Sequence, residues 1–369
     1  MSMKILILTN SLAGLFCFRR EVMEALIEEK HTVSISAPFD GRVEDVKALG
    51  CTIDDTRFNR KSTNPLKDVL LFGKYYGLIK RMHPDVVLSY TIKPNLYGGL
   101  ACQLLGVPQM ANITGLGTAV ENPGWLQKLT ILLYKIGMRK TRTTFFQNEA
   151  NMKFCEKHKM VKGPKVLIPG SGVNITYHEM KDYPPENPIR FIFIGRILKQ
   201  KGIEEYLDAA KAIKQKYPNT EFHVLGEFEE EYSSIISDLQ SKGIVIYHGA
   251  TSDVRPYISQ CHCIVHPSYY PEGMSNVLLE GCAAGRPIIT TDRPGCGEIV
   301  DDGRNGFTVK QQNSQDLEEK IEKFVALPYE QKRQMGMEAR RKVEQEFDRN
   351  IVVKAYLSEL KMLEETERK

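Results

Sequence analysis

The chain has 369 residues and a mass of 42.0 kDa, room for two or three domains. With 42% hydrophobic and 26% charged residues, 18 Pro and 28 Gly, it is neither a disordered chain, a collagen-like fibre nor a disulfide mini-protein. The net charge of +4 conceals an asymmetry, because residues 1–180 hold 24 Lys/Arg against 15 Asp/Glu and residues 181–369 hold 26 against 31. A basic half that faces something anionic is thus joined to an acidic half.

The opening MSMKILILTNSLAGLFCF superficially resembles a signal peptide. Its apolar run is broken by Thr9-Asn10-Ser11, and Arg19-Arg20 follow without a small-residue cleavage site, so it reads as a buried first strand and a turn. Mean hydropathy is −0.32 and no run of 18 apolar residues occurs, so no membrane span is expected and the protein is placed in the cytoplasm. The eight cysteines, at 17, 51, 102, 155, 261, 263, 282 and 296, read as reduced core residues.

Apolar runs at 4–9, 32–37, 85–90, 107–113, 143–147 and 165–169 read as strands of a parallel sheet covered on both faces. Helical patterns lie between them at about 18–30, 65–82, 94–105, 124–140 and 149–158. The acidic, proline-rich stretch 179–188 is the expected linker. Strand patterns then restart at 189–195, 221–226, 244–249, 262–268, 287–292 and 306–309, and helices are expected at 314–327, 329–346 and 350–366. The predicted fold is α/β, with two Rossmann-like, doubly wound parallel-sheet domains facing a central cleft. The expected boundaries are 1–178 for the first domain, 179–188 for the linker and 189–349 for the second domain. Residues 350–369 form a last helix expected to return to the first domain.

Two stretches carry chemistry. In Pro271-Glu272-Gly273-Met274-Ser275-Asn276-Val277-Leu278-Leu279-Glu280, a strand ends just before Glu272 and a helix is expected to start near Gly273-Met274. Its N-terminal amides suit phosphate, and Glu280 falls two turns after Glu272 on nearly the same face. In Gly195-Arg196-Ile197-Leu198-Lys199-Gln200-Lys201-Gly202, Arg196 and Lys201 are each able to meet an anionic oxygen. Taken singly, the glutamates fit a cap and a solvated helix face, and the cations fit a basic surface loop. Cys261-His262-Cys263 with His266 mimics a metal cluster, but alternation along a strand sends the cysteines and histidines to opposite faces.

Together, GRILKQKG, PSYYPEGMSNVLLEGCAAGRPIITTDRPGCGEIV and DGRNGF resemble the family 4 retaining glycosyltransferases of the GT-B fold. The segments TIKPNLYGGL, NITGLG and YYPEGMSNVLLE resemble the subgroup that builds bacterial surface polysaccharides on polyprenyl diphosphate. The resemblance implies a nucleotide-sugar donor, with UDP favoured and a hexose or N-acetylhexosamine transferred. It makes Arg196 and Lys201 the diphosphate ligands, Glu280 the ribose ligand and Glu272 the ligand of a sugar hydroxyl. It brings Gly14, Gly273, Met274 and the amides around Ser275, Asn276 and Val277 to the donor, and sets His248-Gly249 beside the base. Two cations and a helix N-terminus neutralise a leaving diphosphate, so no metal or other cofactor is expected. Many relatives carry a histidine after the fourth strand, where this chain has Asn112-Ile113-Thr114-Gly115. Lys93, Asn112 and Thr114 are therefore candidates for the acceptor side.

The helix at 124–140 carries a basic stripe of Lys128, Lys135, Arg139 and Arg142, with Leu126, Leu129, Leu133 and Ile136 as an adjoining apolar face and Trp125 at its start. Lys67, Lys74 and Arg81 repeat the stripe on the helix at 65–82. Such stripes suit an anionic membrane surface, whereas a packed helix with a solvated rim explains only the apolar face. The expectation is a peripheral enzyme on the inner face of the plasma membrane, acting on a polyprenyl-diphosphate-linked saccharide. The rival readings are a GT-B-fold nucleotide-sugar epimerase and a non-catalytic binder of nucleotide-sugar or acidic polymer. Nucleic acid is not an expected partner, since no aromatic-basic module is present.

Overall fold

Parallel neighbours need crossover connections, usually helices, and most strands of this chain are followed by one. In the computed structural model, which describes residues 2–58, 64–121 and 123–367, this produces two sheets in two units. One unit comprises the chain up to Gly172, Pro271–Met274 and the helix Arg349–Glu367; the other comprises Val173–Tyr270 and Ser275–Asp348.

The first unit holds β1 (Lys4–Leu8), β2 (Thr32–Ala37), β3 (Thr52–Asp55), β4 (Val86–Tyr90), β5 (Gln109–Ile113), β6 (Thr143–Phe146) and β7 (Lys165–Leu167). Their order is β3-β2-β1-β4-β5-β6-β7, all parallel. The sequence reading lacks β3, because TIDD has no apolar run. This edge strand is held by its backbone ladder and by the Ser34–Thr52 hydroxyl pair at 2.7 Å. The first helix, Leu12–Glu28, starts six residues earlier than expected. Ser11 Oγ accepts from Gly14 N at 2.9 Å, and Asp40 Oδ1 accepts from the amides of Leu12 and Ala13 at 2.8 and 2.9 Å. The helix expected over 94–105 opens with a π-turn, Pro94–Gly98, that leads into Gly99–Leu105.

One face of this sheet is closed by the end of the chain. Val352, Tyr356, Leu360 and Leu363 recur at helical spacing on Arg349–Glu367 and join the core of Ile5, Ile7, Val33, Ile35, Val86 and Leu88. Each such side chain contributes about 1.5–3 kcal/mol of hydrophobic stabilisation. Tyr356 stacks on Phe145 at 4.2 Å, and its hydroxyl accepts a 2.7 Å bond from Asn112 Nδ2. Arg349 anchors the helix start by donating to Glu21, Cys17 O and Gly172 O at 2.8, 3.1 and 3.1 Å.

The second unit holds β8 (Ile189–Ile194), β9 (Thr220–Leu225), β10 (Ile246–Tyr247), β11 (Cys263–His266), β12 (Ile288–Thr291) and β13 (Gly306–Val309). Their order is β10-β9-β8-β11-β12-β13. Phe191, Phe193, Tyr206, Phe222, Phe307 and Phe324 form its aromatic core. Seven of the eight cysteines are buried as expected, but Cys17 is exposed on its helix, away from the core face of Leu12, Leu15, Val22 and Leu26.

Residues 179–188 lie along this second unit. The buried Arg286 guanidinium donates to the carbonyls of Lys181, Asp182, Ile258 and Ser259 at 3.1, 2.8, 3.1 and 2.8 Å. Tyr183 donates to His262 O at 2.9 Å. His262 Nδ1 accepts from Arg190 N at 3.0 Å, while Nε2 donates to Pro185 O at 2.9 Å. Both ring nitrogens are thus committed to backbone, which removes His262 from any metal cluster with its neighbours.

Burial lowers His262 to about 4 from the ordinary 6.5. Because the folded value lies below the unfolded one, the unfolded chain takes the proton first. Its contribution to stability is whole above about pH 6.5 and is lost as the pH falls to about 4, up to roughly 3 kcal/mol. Urea midpoints measured across that window should fall steeply in the wild type. In His262→Gln they should start lower at neutral pH and decline less.

Candidate functional site

In the second unit, parallel pairing opens the loops after β8, β9, β10 and β11 at one edge of the sheet. Gly195 leads from β8 into Arg196, and Lys199–Lys201 makes a single 3-10 turn. Arg196 Cζ and Lys201 Nζ each stand 5.1 Å from the ring centroid of Tyr270, in the loop after β11. Lys201 is buried and Arg196 is half-exposed. Arg196 also forms an ion pair with Glu229. Burial works against its charge, but Tyr270 and Glu229 outweigh that and raise its pKa. The predicted pair of cations is therefore brought together, on a tyrosine that the sequence reading leaves without a role. Tyr270 lies inside the quoted motif, so the signal was adjacency alone.

His248, after β10, shares a 2.8 Å hydrogen bond from its Nε2 with His223 Nδ1, the two rings nearly coplanar in orientation. Burial lowers the pKa of both. Gly249 has φ +73, and its carbonyl accepts from Gly226 N at 2.8 Å.

The helix after β11 runs Asn276–Ala283 with Ser275 as N-cap, so it starts later than expected. Glu272 consequently precedes the helix, and only Glu280 of the two glutamates lies on it, one turn after Asn276. The Ser275 amide donates to Gly295 O at 2.7 Å and is already engaged. By contrast, Ser275 Oγ and Asn276 Oδ1 are buried without a hydrogen-bond partner. They flank the first-turn amides of Asn276 and Val277, which a helix leaves without internal acceptors. A hydroxyl donor, a carbonyl acceptor and amides of this kind suit a ligand with both anionic oxygens and hydroxyls.

Glu272, Gly273 and Met274 belong to the first unit. Asn148 Nδ2 donates to the carbonyls of Gly273 and Glu272 at 2.6 and 3.3 Å. A Cβ at Gly273 would collide with the Thr114 carbonyl and the Gln147 amide, so only glycine fits there. Thr114 is half-buried and Met274 is buried. Asn112 is buried at 1% exposure and spent on Tyr356, which makes it a tie for the last helix. The Gly14 amide is likewise spent, on Ser11. Lys93 Nζ meets Asp68 Oδ1 at 2.7 Å beside the π-turn. Two residues before it, Thr91 holds φ +71, a strained value for a β-branched residue, and its Oγ1 is buried without a partner.

The helix Trp125–Gly137 turns Thr130, Ile131, Tyr134 and Gly137 inward. Trp125, Leu126, Leu129, Leu132 and Ile136 are 76, 42, 42, 52 and 47% exposed. Most of the apolar face expected to pack therefore stands in solvent beside the exposed Lys128, Lys135 and Arg139. Arg142 lies beyond the helix end and bonds Thr366 Oγ1 at 3.1 Å, which removes it from the stripe. Arg81 pairs with Asp54 at 2.9 Å, while Leu66, Val69 and Leu70 are exposed around Lys67 on the helix Pro65–Met82. Among the described residues, no helix is long and apolar enough to cross a membrane.

Residues 178–342 match the family model described as glycosyl transferases group 1, and residues 4–148 match the one described as glycosyl transferase 4-like. The N,N'-diacetylbacillosaminyl-diphospho-undecaprenol alpha-1,3-N-acetylgalactosaminyltransferase of Campylobacter jejuni is 27% identical, over 96% of this chain and 97% of that one. The capsular polysaccharide biosynthesis glycosyltransferase CapM of Staphylococcus aureus is 26% identical, over 78% of this chain and 81% of that one. Among solved structures, a glycosyltransferase from Rickettsia africae superposes with a TM-score of 0.80 at 20% identity, covering 98% of both chains. Anabaena Alr3699/HepE in complex with UDP superposes with a TM-score of 0.79 at 17% identity, covering 98% of this chain and 100% of that one.

A buried hydroxyl without a partner costs stability, on the order of 1 kcal/mol. Thermal denaturation of Ser275→Ala should therefore show a melting temperature equal to or above that of the wild type. A drop of several degrees would mean that Oγ serves the fold rather than a ligand.

Proposed function

We propose that this glycosyltransferase, whose residues 178–342 match the group 1 model and residues 4–148 the 4-like model on a GT-B fold, moves an N-acetylhexosamine or hexose from a UDP-sugar to a polyprenyl-diphosphate-linked saccharide. The transfer proceeds with retention of anomeric configuration, in surface polysaccharide or glycan assembly at the cytoplasmic face of the plasma membrane. The observation that carries this reading is the convergence of Arg196 and Lys201 on Tyr270. The relative named for a diphospho-undecaprenol substrate and the neighbour bound to UDP support the acceptor and donor classes.

The physical logic follows the charge that develops as the glycosidic bond to the diphosphate breaks. Arg196 and Lys201 are fixed where that charge grows and need no reorganisation at the moment of reaction. Ser275 Oγ and the amides of Asn276 and Val277 add donors, Asn276 Oδ1 accepts from a sugar hydroxyl, and Glu280 accepts from the ribose. Glu272 holds a hydroxyl of the transferred sugar, and His248-Gly249 borders the base. With this much fixed positive potential, the chemical step runs without a metal. On the first unit, Lys93 and Thr114 are the acceptor-side groups.

Arg196→Ala or Lys201→Ala should cut transfer about 10²–10³-fold with little change in melting temperature. Wild-type transfer, assayed with UDP-sugars and short lipid-linked acceptors, should survive excess EDTA. Near-normal turnover in either variant, or a strict Mg²⁺ or Mn²⁺ requirement, would remove the assignment.

The exposed apolar and basic rows of Trp125–Gly137 support peripheral binding to anionic lipid. The protein should co-sediment with anionic vesicles at low salt and be released as salt shortens the Debye length from roughly 30 Å at 0.01 M to 3 Å at 1 M. The triple change Lys128/Lys135/Arg139→Glu should abolish vesicle binding and the use of a membrane-embedded acceptor. Transfer to a soluble short-chain acceptor should persist. Vesicle binding by the triple variant, or none by the wild type, would reduce the rows to a solvated rim.

A further inference from the structure

Two loops of the second unit are fastened to one another beside the cation pair. The Ile197 amide donates to Glu227 O at 2.8 Å, and the Glu229 amide donates to Ile197 O at 3.0 Å. These bonds make a one-residue parallel bridge between Ile197 and Phe228. The Lys199 amide donates to Glu230 Oε2 at 2.8 Å. At the base of the two loops, Gly226 has φ +156, and a Cβ there would collide with the Gly195 carbonyl. This backbone lock delivers the Glu229 carboxylate onto Arg196 Nη1.

The sequence of the second loop, Gly226-Glu227-Phe228-Glu229-Glu230-Glu231, is strongly acidic. A carboxylate fixed against one of two cations subtracts a charge from a site whose proposed ligand is an anion. The subtraction is selective. A free nucleoside diphosphate carries one more negative charge than the nucleotide-sugar from which it comes, so a nearby fixed anion repels the product more than the donor.

Resting on the donor reading above, we propose that Glu229 is an internal counter-anion that occupies Arg196 in the empty site and weakens the hold on the released nucleoside diphosphate. Glu229 is a positioning residue. It keeps the guanidinium seated over Tyr270 between turnovers and keeps the product from trapping the enzyme. Glu229→Gln separates these effects, because the amide oxygen still accepts from Arg196 while the charge is gone.

Calorimetry on the full chain tests this with inorganic pyrophosphate, UDP, GDP and uridine as probes. Glu229→Gln should tighten pyrophosphate and the bound nucleoside diphosphate about three- to tenfold and leave uridine unchanged, the scale of one partly screened charge. The gain should disappear in an Arg196→Ala background. In steady state, product inhibition should strengthen by a similar factor, with kcat falling more than KM. Unchanged or weaker pyrophosphate binding in Glu229→Gln overturns the proposal while the nucleotide-sugar reading stands on wild-type binding of UDP or GDP. Tighter pyrophosphate with neither UDP nor GDP bound by the wild type upholds the counter-anion and removes the nucleotide reading.

Discussion

Parallel pairing is the constraint on which the rest of this molecule depends. When every strand of a sheet runs the same way, all loops that follow strands open at one edge and all loops that precede them open at the other. In the second unit this alone brings residues from four separate stretches to one rim. Arg196 and Lys201 follow β8, Glu229 follows β9, His248 follows β10 and Tyr270 follows β11. In the first unit it does the same for Asp40, Lys93 and Thr114, after β2, β4 and β5. The core fixes the strands, and the rim inherits its precision from them.

The arginines show how environment separates scaffold from site. Arg286 is fully buried with its donors distributed over backbone carbonyls, so its charge is absorbed in holding 181–182 against the sheet. Burial lowers its pKa, and its hydrogen bonds go to backbone carbonyls. Arg349 divides its donors between Glu21 and two carbonyls and likewise serves packing. Arg196 differs, since it is half-exposed and shares Tyr270 with a second cation. The charge of the first two is spent within the fold; that of the third stands at a rim, paired there with Glu229.

Most strands of the second unit and the three terminal helices are legible from apolar runs and periodicity alone, because those runs are buried on the faces that their pattern implies. The run at 244–249 is the exception, forming only Ile246–Tyr247 with Ile246 exposed. β3 is not legible either, since TIDD owes its place to neighbouring hydroxyls and a backbone ladder rather than to side-chain burial. The start of the helix after β11 was misplaced for a related reason. Gly273 is held by Asn148 and shaped by the Thr114 carbonyl, tertiary contacts that no local pattern records. Arg196 and Lys201 were readable as cations, but their meeting on Tyr270 and the pairing of Arg196 with Glu229 depend on loops that are distant in sequence. Asn112 is a candidate because it stands where many relatives carry a histidine, yet its amide is spent on the hydroxyl of a helix more than two hundred residues later.

The face built by Trp125–Gly137 shows why charge spacing alone is an incomplete guide to such surfaces. Basic residues at helical spacing attract an anionic surface through a potential that salt screens within a Debye length. Exposed apolar side chains respond to salt in no comparable way, since their transfer out of water depends on area. On this helix the two rows adjoin, with Trp125, Leu129, Leu132 and Ile136 on one row and Lys128 and Lys135 on the next, and the exposed Arg139 follows the helix end. A solvated rim needs the second row but not the first, because exposing four large apolar side chains in water brings no stability to the fold. It is on the pairing of the rows, rather than on either alone, that the proposed membrane reading rests, since a helix kept soluble by charge needs only the second row.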